Sequence, residues 1–213
     1  MYTTNNIIFF SGPHGVGKST TISEFIKSMD CKAILFEEHT GNGDHGNPYR
    51  DKTYHRQTWR LTKYYLDMLD LIDKAIEIFP RILLVDRCYL DLISYTKAFT
   101  RLNWITDEQD RKIRAHCGLY FHNLKYQVQN VVYLNPPYKW NVDRIKHRWN
   151  EEKVKWNEGD FAYLEILRNE YNCTMDNRGV LEIHETDLEK RISMLIEYYN
   201  SFEENLIRPN LAI

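Results

Sequence analysis

The sequence predicts an α/β fold built on a parallel sheet, and three observations carry that prediction. Short apolar runs alternate with long helical patterns from end to end. The runs are rich in β-branched and aromatic residues, as strands covered on both faces should be. A glycine-rich turn, SGPHGVGKST (Ser11 to Thr20), follows the first run and leads straight into a helical pattern.

The elements follow in order. Ile7 to Phe10 is the first strand, and TISEFIKSM after the turn is the first helix. Ala33 to Phe36 is the second strand. The stretch HTGNGDHGNPY (His39 to Tyr49) has the Gly, Asn and Pro content of a loop, just past that strand's carboxyl end. Loops at that end of parallel strands are where such folds bind ligands. Lys52 to Phe79 reads as one long helix stopped by Pro80. Its Thr58, Leu61, Tyr65, Met68, Ile72, Ile76 and Phe79 recur at steps of three and four and are expected to face the core. The remaining strands are Ile82 to Val85, Val128 to Leu134 and Val180 to Ile183. Two further helix starts carry capping boxes, Thr106 with Gln109 and Thr186 with Glu189. The expectation is a five-stranded parallel sheet with helices on both faces.

Composition narrows the class. The chain has 213 residues, enough for one domain with a sizeable core, and 43% of them are hydrophobic. A formal net charge of -2 provides no overall field to attract nucleic acid or an anionic membrane, so any anion must meet local clusters of Arg and Lys. Cys31, Cys88, Cys117 and Cys173 lie far apart without a CxxC pair, which suits free thiols in a reducing cytosol. Neither a secretory signal nor a membrane-length apolar run is visible. A cytoplasmic protein is expected.

The turn satisfies GxxxxGK[ST] through Gly12, Gly17, Lys18 and Ser19, between a strand and a helix as the motif requires. Its glycines let backbone amides turn inward around an anion. The helix that follows adds roughly half a positive charge at its N-terminus. Lys18 would reach the β- and γ-phosphates, and the Ser19 hydroxyl would ligate Mg²⁺. Gly12, Pro13, His14, Gly15, Val16, Gly17, Lys18, Ser19 and Thr20 are therefore expected to cradle the triphosphate of ATP.

Holding a triphosphate is shared by switches, motors and kinases. A GTPase switch needs an early DxxG and a later NKxD. Here NKxD is absent, and the only DxxG, Asp176 to Gly179, precedes the last strand. The third strand ends in Asp86, placed to organise Mg²⁺, and Arg87 follows, placed to project into the cleft toward a transferring phosphoryl group. A strand-end ion pair that anchors a loop is the plainer reading of the same two residues.

The segment DRCYLDLISY resembles the DRYxxSxxAY segment of thymidylate kinases and the ERS motif of deoxynucleoside kinases. GPHGVGKST resembles the first loop of both families, FEEH their Glu-Pro at the second strand's end, and NPYRDKTYHRQTWR their acceptor-binding helix. RIKHRWNEEKVKW followed by YLEILRNEY is similar to their lid and the helix leaving it. The resemblance implies a P-loop kinase fold covering residues 1–213, with a small lid at about residues 144–159. It also implies ATP and Mg²⁺ as cofactors, a small-molecule nucleotide or nucleoside acceptor, and a possible homodimer through the long helices.

Several site residues follow. Glu38, or its neighbour Glu37, would accept the proton of an attacking hydroxyl or hold the acceptor and Mg²⁺. Thr53, Gln57, Arg60 and Tyr64 form a polar stripe on the long helix, suited to a base and an anion, or serving only as its solvated side. Arg144 and Arg148, four apart, face one way, and Lys153 and Lys155 follow; cations on a lid neutralise the transferring group and exclude water.

The chain departs from both patterns. His14 stands where thymidylate kinases usually carry an acid for the sugar hydroxyl, and His39, Thr40 and Gly41 replace Pro-Gly-Gly. Asp86 and Arg60 follow thymidylate kinases, Gln57 follows deoxynucleoside kinases, and Cys88 follows neither. The expected activity is ATP-dependent transfer to a deoxynucleoside monophosphate. The alternative is a deoxynucleoside kinase acting on a 5′-hydroxyl. A polynucleotide kinase is a further alternative, disfavoured by the net charge and the lack of a basic stripe. A regulatory module without transfer is disfavoured by Glu38, Asp86, Arg87 and the lid arginines together.

Overall fold

The strands fall where hydrophobicity and branching place them. The computed structural model describes residues 6–30, 32–36, 53–123, 130–151, 159–176 and 178–203. The strands are β1 (Ile7–Ser11), β2 (Ala33–Phe36), β3 (Ile82–Asp86), β4 (Val131–Leu134) and β5 (Leu181–Ile183). They form one sheet of order β2-β3-β1-β4-β5, with every neighbouring pair parallel. The fourth strand starts at Val131 rather than Val128, and the fifth at Leu181 rather than Val180.

All five residues of β1 are buried, because both faces of the sheet are covered. Ile7 and Phe9 point to one side, into a core shared with α2 (Thr53–Ile78), α3 (Tyr89–Arg101), α4 (Asp107–Asn123), α5 (Tyr138–Glu151) and α6 (Phe161–Met175). Ile8 and Phe10 point to the other, against α1 (Lys18–Ser28) and α7 (Leu188–Glu203). This two-residue alternation in β1, β3 and β4 supplies both cores from the same strands. Each fully buried Leu, Ile or Phe contributes about 1.5–3 kcal/mol of transfer free energy.

Helix α2 is turned relative to the expected orientation. Of the predicted stripe only Leu61 and Met68 are buried, while Thr58, Tyr65, Ile72, Ile76 and Phe79 are half-buried. The buried line runs Thr53, Gln57, Leu61, Met68, Leu71, Ala75 and Ile78. Two polar residues at its start thus face inward. The Gln57 amide can be buried because Nε2 donates to Thr96 Oγ1 on α3 at 3.1 Å. That partner lies 39 residues away, beyond the reach of any local pattern.

The two expected capping boxes differ in outcome. Thr106 and Gln109 exchange reciprocal bonds, Gln109 N to Thr106 Oγ1 at 3.2 Å and Thr106 N to Gln109 Oε1 at 2.9 Å. At α7 the capping residue is Asp187, whose Oδ1 accepts from Lys190 N at 3.0 Å. Thr186 is displaced from that role because Glu185 Oε1 folds the preceding turn, accepting from Thr186 N at 2.7 Å and Asp187 N at 2.9 Å.

Candidate active site

The carboxyl ends of β1 and β3 meet at the centre of the sheet, beside the point where the chain order reverses. The glycine turn leaves β1 there. A Cβ at Gly12, whose φ is +141°, would lie 2.7 Å from the Leu134 carbonyl oxygen, so only glycine lets the loop cross β4 so closely. Gly17 caps α1 without any side-chain hydrogen bond. The first amides of α1 therefore lack the side-chain acceptor most helices provide, which is the arrangement that binds anions. The Lys18 ammonium bends back to donate to the carbonyls of Gly12 at 2.8 Å and Pro13 at 3.1 Å. Thr20 is exposed on the first turn of α1.

Asp86, at the tip of β3, meets the loop directly. Ser19 Oγ donates to Asp86 Oδ2 at 3.2 Å, while Asp86 Oδ1 is buried without a hydrogen-bond partner. A hydroxyl and a carboxylate whose second oxygen is buried and orphaned fit Mg²⁺, which is commonly held by one carboxylate together with substrate phosphates. Among the described residues no group of three His, Cys, Asp or Glu forms an all-protein metal cage.

Arg87 occupies the left-handed region at φ 78°, uncommon for a residue with a side chain. Its backbone N–H is held by the Phe10 carbonyl at 2.8 Å. Nη1 donates to the Tyr95 hydroxyl at 3.2 Å and lies 3.6 Å from Asp91 Oδ1. The guanidinium also stacks over the Tyr95 ring, 5.4 Å from its centroid.

Asp91 was not singled out from the sequence, yet it organises this end of the site. It is 1% exposed. Its Oδ2 accepts from Cys88 N at 2.7 Å and from Ser11 Oγ at 3.0 Å, and its Oδ1 accepts from the Tyr171 hydroxyl at 2.6 Å. One carboxylate thus ties β1, the start of α3 and α6 together beside Arg87. An acid embedded between Leu90 and Leu92 was the available signal, since a charge within an apolar run must be paired if it is buried.

His14 joins loop and helices. Its Nε2 lies 3.0 Å from the Tyr95 hydroxyl and 3.3 Å from the Tyr163 hydroxyl, with the imidazole packed against both rings. Burial first, then the positive charges of Arg87, Lys18, Arg60 and Arg148, hold its pKa well below the usual histidine range. The imidazole is neutral at physiological pH. The same field shows that Lys18, Arg60, Arg87 and Arg148 converge on one region although they come from four separate segments.

Arg144 and Arg148 both sit on α5. The Arg144 guanidinium stacks on Trp140, 4.8 Å from the ring centroid, and a Cβ at Gly17 would meet its Nη1 at 2.8 Å. Burial, then Arg148, lowers the pKa of Arg144. Gln57 reaches α3 as described, and Arg60 and Tyr64 are half-buried on the same helix. Glu37, Glu38, the His39 to Tyr49 loop, Lys153 and Lys155 lie outside the described residues.

The parallel sheet of order 2-3-1-4-5, with a glycine-rich turn after its central strand, is a fold this chain shares with solved structures. No protein-family model and no curated protein matches the chain. Among solved structures, deoxyadenosine kinase from M. mycoides with bound dCTP is similar, with a TM-score of 0.69 and 21% identity over 92% of this chain and 98% of that one. The same kinase with bound dATP gives 0.69 and 20% over 91% and 99%. With dCMP and a flexible dCDP bound it gives 0.63 and 20% over 92% and 99%. At such identities the likeness establishes the fold. No described helix is long and apolar enough to cross a membrane.

Proposed function

We propose that the chain is an ATP-dependent kinase, one domain with a lid at about residues 144–159, that phosphorylates the 5′-hydroxyl of a deoxynucleoside. The observation that carries phosphoryl transfer is the Ser19–Asp86 contact, with its orphaned Asp86 oxygen, directly beside Arg87 and the loop lysine. The likeness to deoxyadenosine kinase over nearly the whole chain supports a nucleoside as acceptor.

In this reading the amides of the loop and of the first turn of α1 hold the β- and γ-phosphates, and Lys18 exchanges its two carbonyl partners for phosphate oxygens. Ser19 and Asp86 would hold Mg²⁺, which neutralises phosphate charge. The acceptor oxygen bonds to the γ-phosphorus, the bond from that phosphorus to the β-bridging oxygen breaks, and ADP leaves. The hydroxyl proton passes to Glu38 or Glu37. Arg87 and Arg148 stabilise charge on the transferring group, and the tyrosine-bound, neutral His14 adds no further positive charge there.

A monophosphate acceptor is the second reading, and Arg60 favours it. That guanidinium is one of four cations whose charge lowers the His14 pKa, and in this reading it would pair with the acceptor's phosphate. ADP release measured across nucleosides, nucleoside monophosphates and single-stranded oligonucleotides separates the readings. Turnover confined to monophosphates would refute the nucleoside assignment, and no turnover with any acceptor would refute kinase activity altogether.

A further inference from the structure

Behind the phosphate loop lies a cluster that the transfer scheme above does not use. Arg191, on the first turn of α7, is 1% exposed. Its Nη1 donates to the Val16 carbonyl at 2.9 Å and reaches Thr21 Oγ1 at 3.4 Å, while its Nε donates to the Glu185 carbonyl. Its guanidinium carbon lies 5.0 Å from the Trp140 centroid, so Trp140 carries both Arg191 and Arg144. A Cβ on Gly17 would come within 3.1 Å of Arg191 Nη1 and 2.8 Å of Arg144 Nη1. Among the described residues neither arginine has a carboxylate within 4 Å, and Arg191 Nη2 is buried without a partner.

A buried Arg191 guanidinium, sharing one ring and one glycine with the more exposed Arg144, costs free energy through desolvation and mutual repulsion. Burial, and then Arg144, lowers the pKa of Arg191 accordingly. Three backbone and hydroxyl acceptors on separate elements offset that cost, and the element they constrain is the loop.

The geometry of the Val16–Gly17 peptide explains what is gained. Among the described residues the only cis peptide joins Phe79 and Pro80, so this bond is trans and planar. A trans peptide points its C=O and its N–H in opposite directions. Pinning the Val16 carbonyl toward α7 therefore turns the Gly17 N–H away from α7. The Gly17 carbonyl is fixed in turn by Thr21 N at 2.9 Å. A charged donor on a carbonyl also polarises the amide of the same peptide unit and makes its N–H a stronger donor.

We propose that Arg191 is a positioning residue for the phosphate loop, which aims and polarises the Gly17 amide toward a bound polyphosphate. Because Arg191 also holds the Glu185 carbonyl, it ties the turn between β5 and α7 to that amide. The inference rests on the reading of the loop as a triphosphate site, and it does not depend on which acceptor is used.

The test measures calorimetric binding of Mg·ATP and of inorganic tripolyphosphate to the full chain, for wild type, Arg191→Met and Arg191→Lys. Arg191→Met is expected to weaken both ligands by the same factor, about ten-fold, the worth of one charge-assisted hydrogen bond. Arg191→Lys is expected to recover less than half of that loss on a logarithmic scale, because one ammonium cannot span the Val16 and Glu185 carbonyls. In turnover, the KM for ATP should rise by the same factor while the KM for the acceptor stays within two-fold. Unchanged tripolyphosphate affinity in Arg191→Met, a loss for ATP alone, or full recovery by lysine would each overturn the proposal. If Arg191→Met does not fold, the amide proton shift of Gly17 in Arg191→Lys decides: an upfield move supports the role and an unchanged shift refutes it. Absence of transfer to any acceptor would refute the kinase reading and leave the tripolyphosphate comparison intact.

Discussion

Removing the Asp91 carboxylate is the most informative single perturbation of this site. Asp91→Ala strips the partner from three donors at once: Cys88 N–H, the Ser11 hydroxyl and the Tyr171 hydroxyl. It also removes the acid 3.6 Å from Arg87 Nη1. A buried donor left unsatisfied costs about 1–3 kcal/mol, and the Cys88 N–H bond, which also caps α3, lies near the middle of that range. The hydroxyls can rotate toward other acceptors but the backbone N–H cannot, so the lower half of that range applies to them. A total near ~4 kcal/mol follows, which for a chain of this size lowers Tm by about 8–16 °C. Asp91→Asn is the control. Its oxygen can still accept from Cys88 N–H and Ser11, while its amide donates to the Tyr171 oxygen, so the loss should stay near ~1–2 kcal/mol. Thermal scans and urea titrations of wild type and both variants read these values directly. Similar losses for the two variants, or a loss under 1 kcal/mol for Asp91→Ala, would refute the description of Asp91 as the carboxylate that satisfies this corner.

Four further outcomes are expected. Lys18→Ala should lower turnover at least ~100-fold with every acceptor, as loss of a charge-stabilising donor does, and equal turnover would remove Lys18 from the site. Ser19→Ala should raise the Mg²⁺ concentration for half-maximal activity about ten-fold, the worth of roughly 1.4 kcal/mol of lost binding, in a magnesium titration at fixed ATP. His14 has its folded pKa below its unfolded value near ~6.5, so the unfolded chain binds the extra proton and wild-type stability should fall as pH drops below about 6.5. The contribution is limited to ~1.4 kcal/mol per pH unit, and His14→Asn should lack it; parallel stability curves between pH 7.5 and 5.5 would contradict a neutral His14. Arg60→Ala should cut turnover on a monophosphate at least ~10-fold more than on a nucleoside if Arg60 reads an acceptor phosphate, and equal losses in kcat/KM would exclude that role.

Much of the architecture was legible because it depends on local rules. Strands covered on both faces must be apolar throughout, so five short runs marked the sheet within a few residues. The turn between β1 and α1 was legible because its glycines, lysine and serine stand at fixed spacing between strand and helix. Asp86 and Arg87 were legible as a polar pair ending an apolar strand, and the structure places both beside the loop.

Other features belong to tertiary structure alone. The rotation of α2 was decided by Thr96, which gave the Gln57 amide a buried partner where amphipathic pattern expected an edge. The cap of α7 passed from Thr186 to Asp187 because Glu185 had already folded the turn. Asp91, Tyr95, Tyr163 and Tyr171 act together though α3 and α6 lie some seventy positions apart, and Arg191 reaches Val16 across 175 residues. The sequence by itself determined that a parallel sheet presents a glycine-rich turn and an Asp-Arg pair, since helical and strand periods and motif spacing are short-range properties. Which side chains surround that loop, and that His14 is neutral among four cations, was decided only when distant segments packed, because desolvation and Coulomb interaction depend on distance in space.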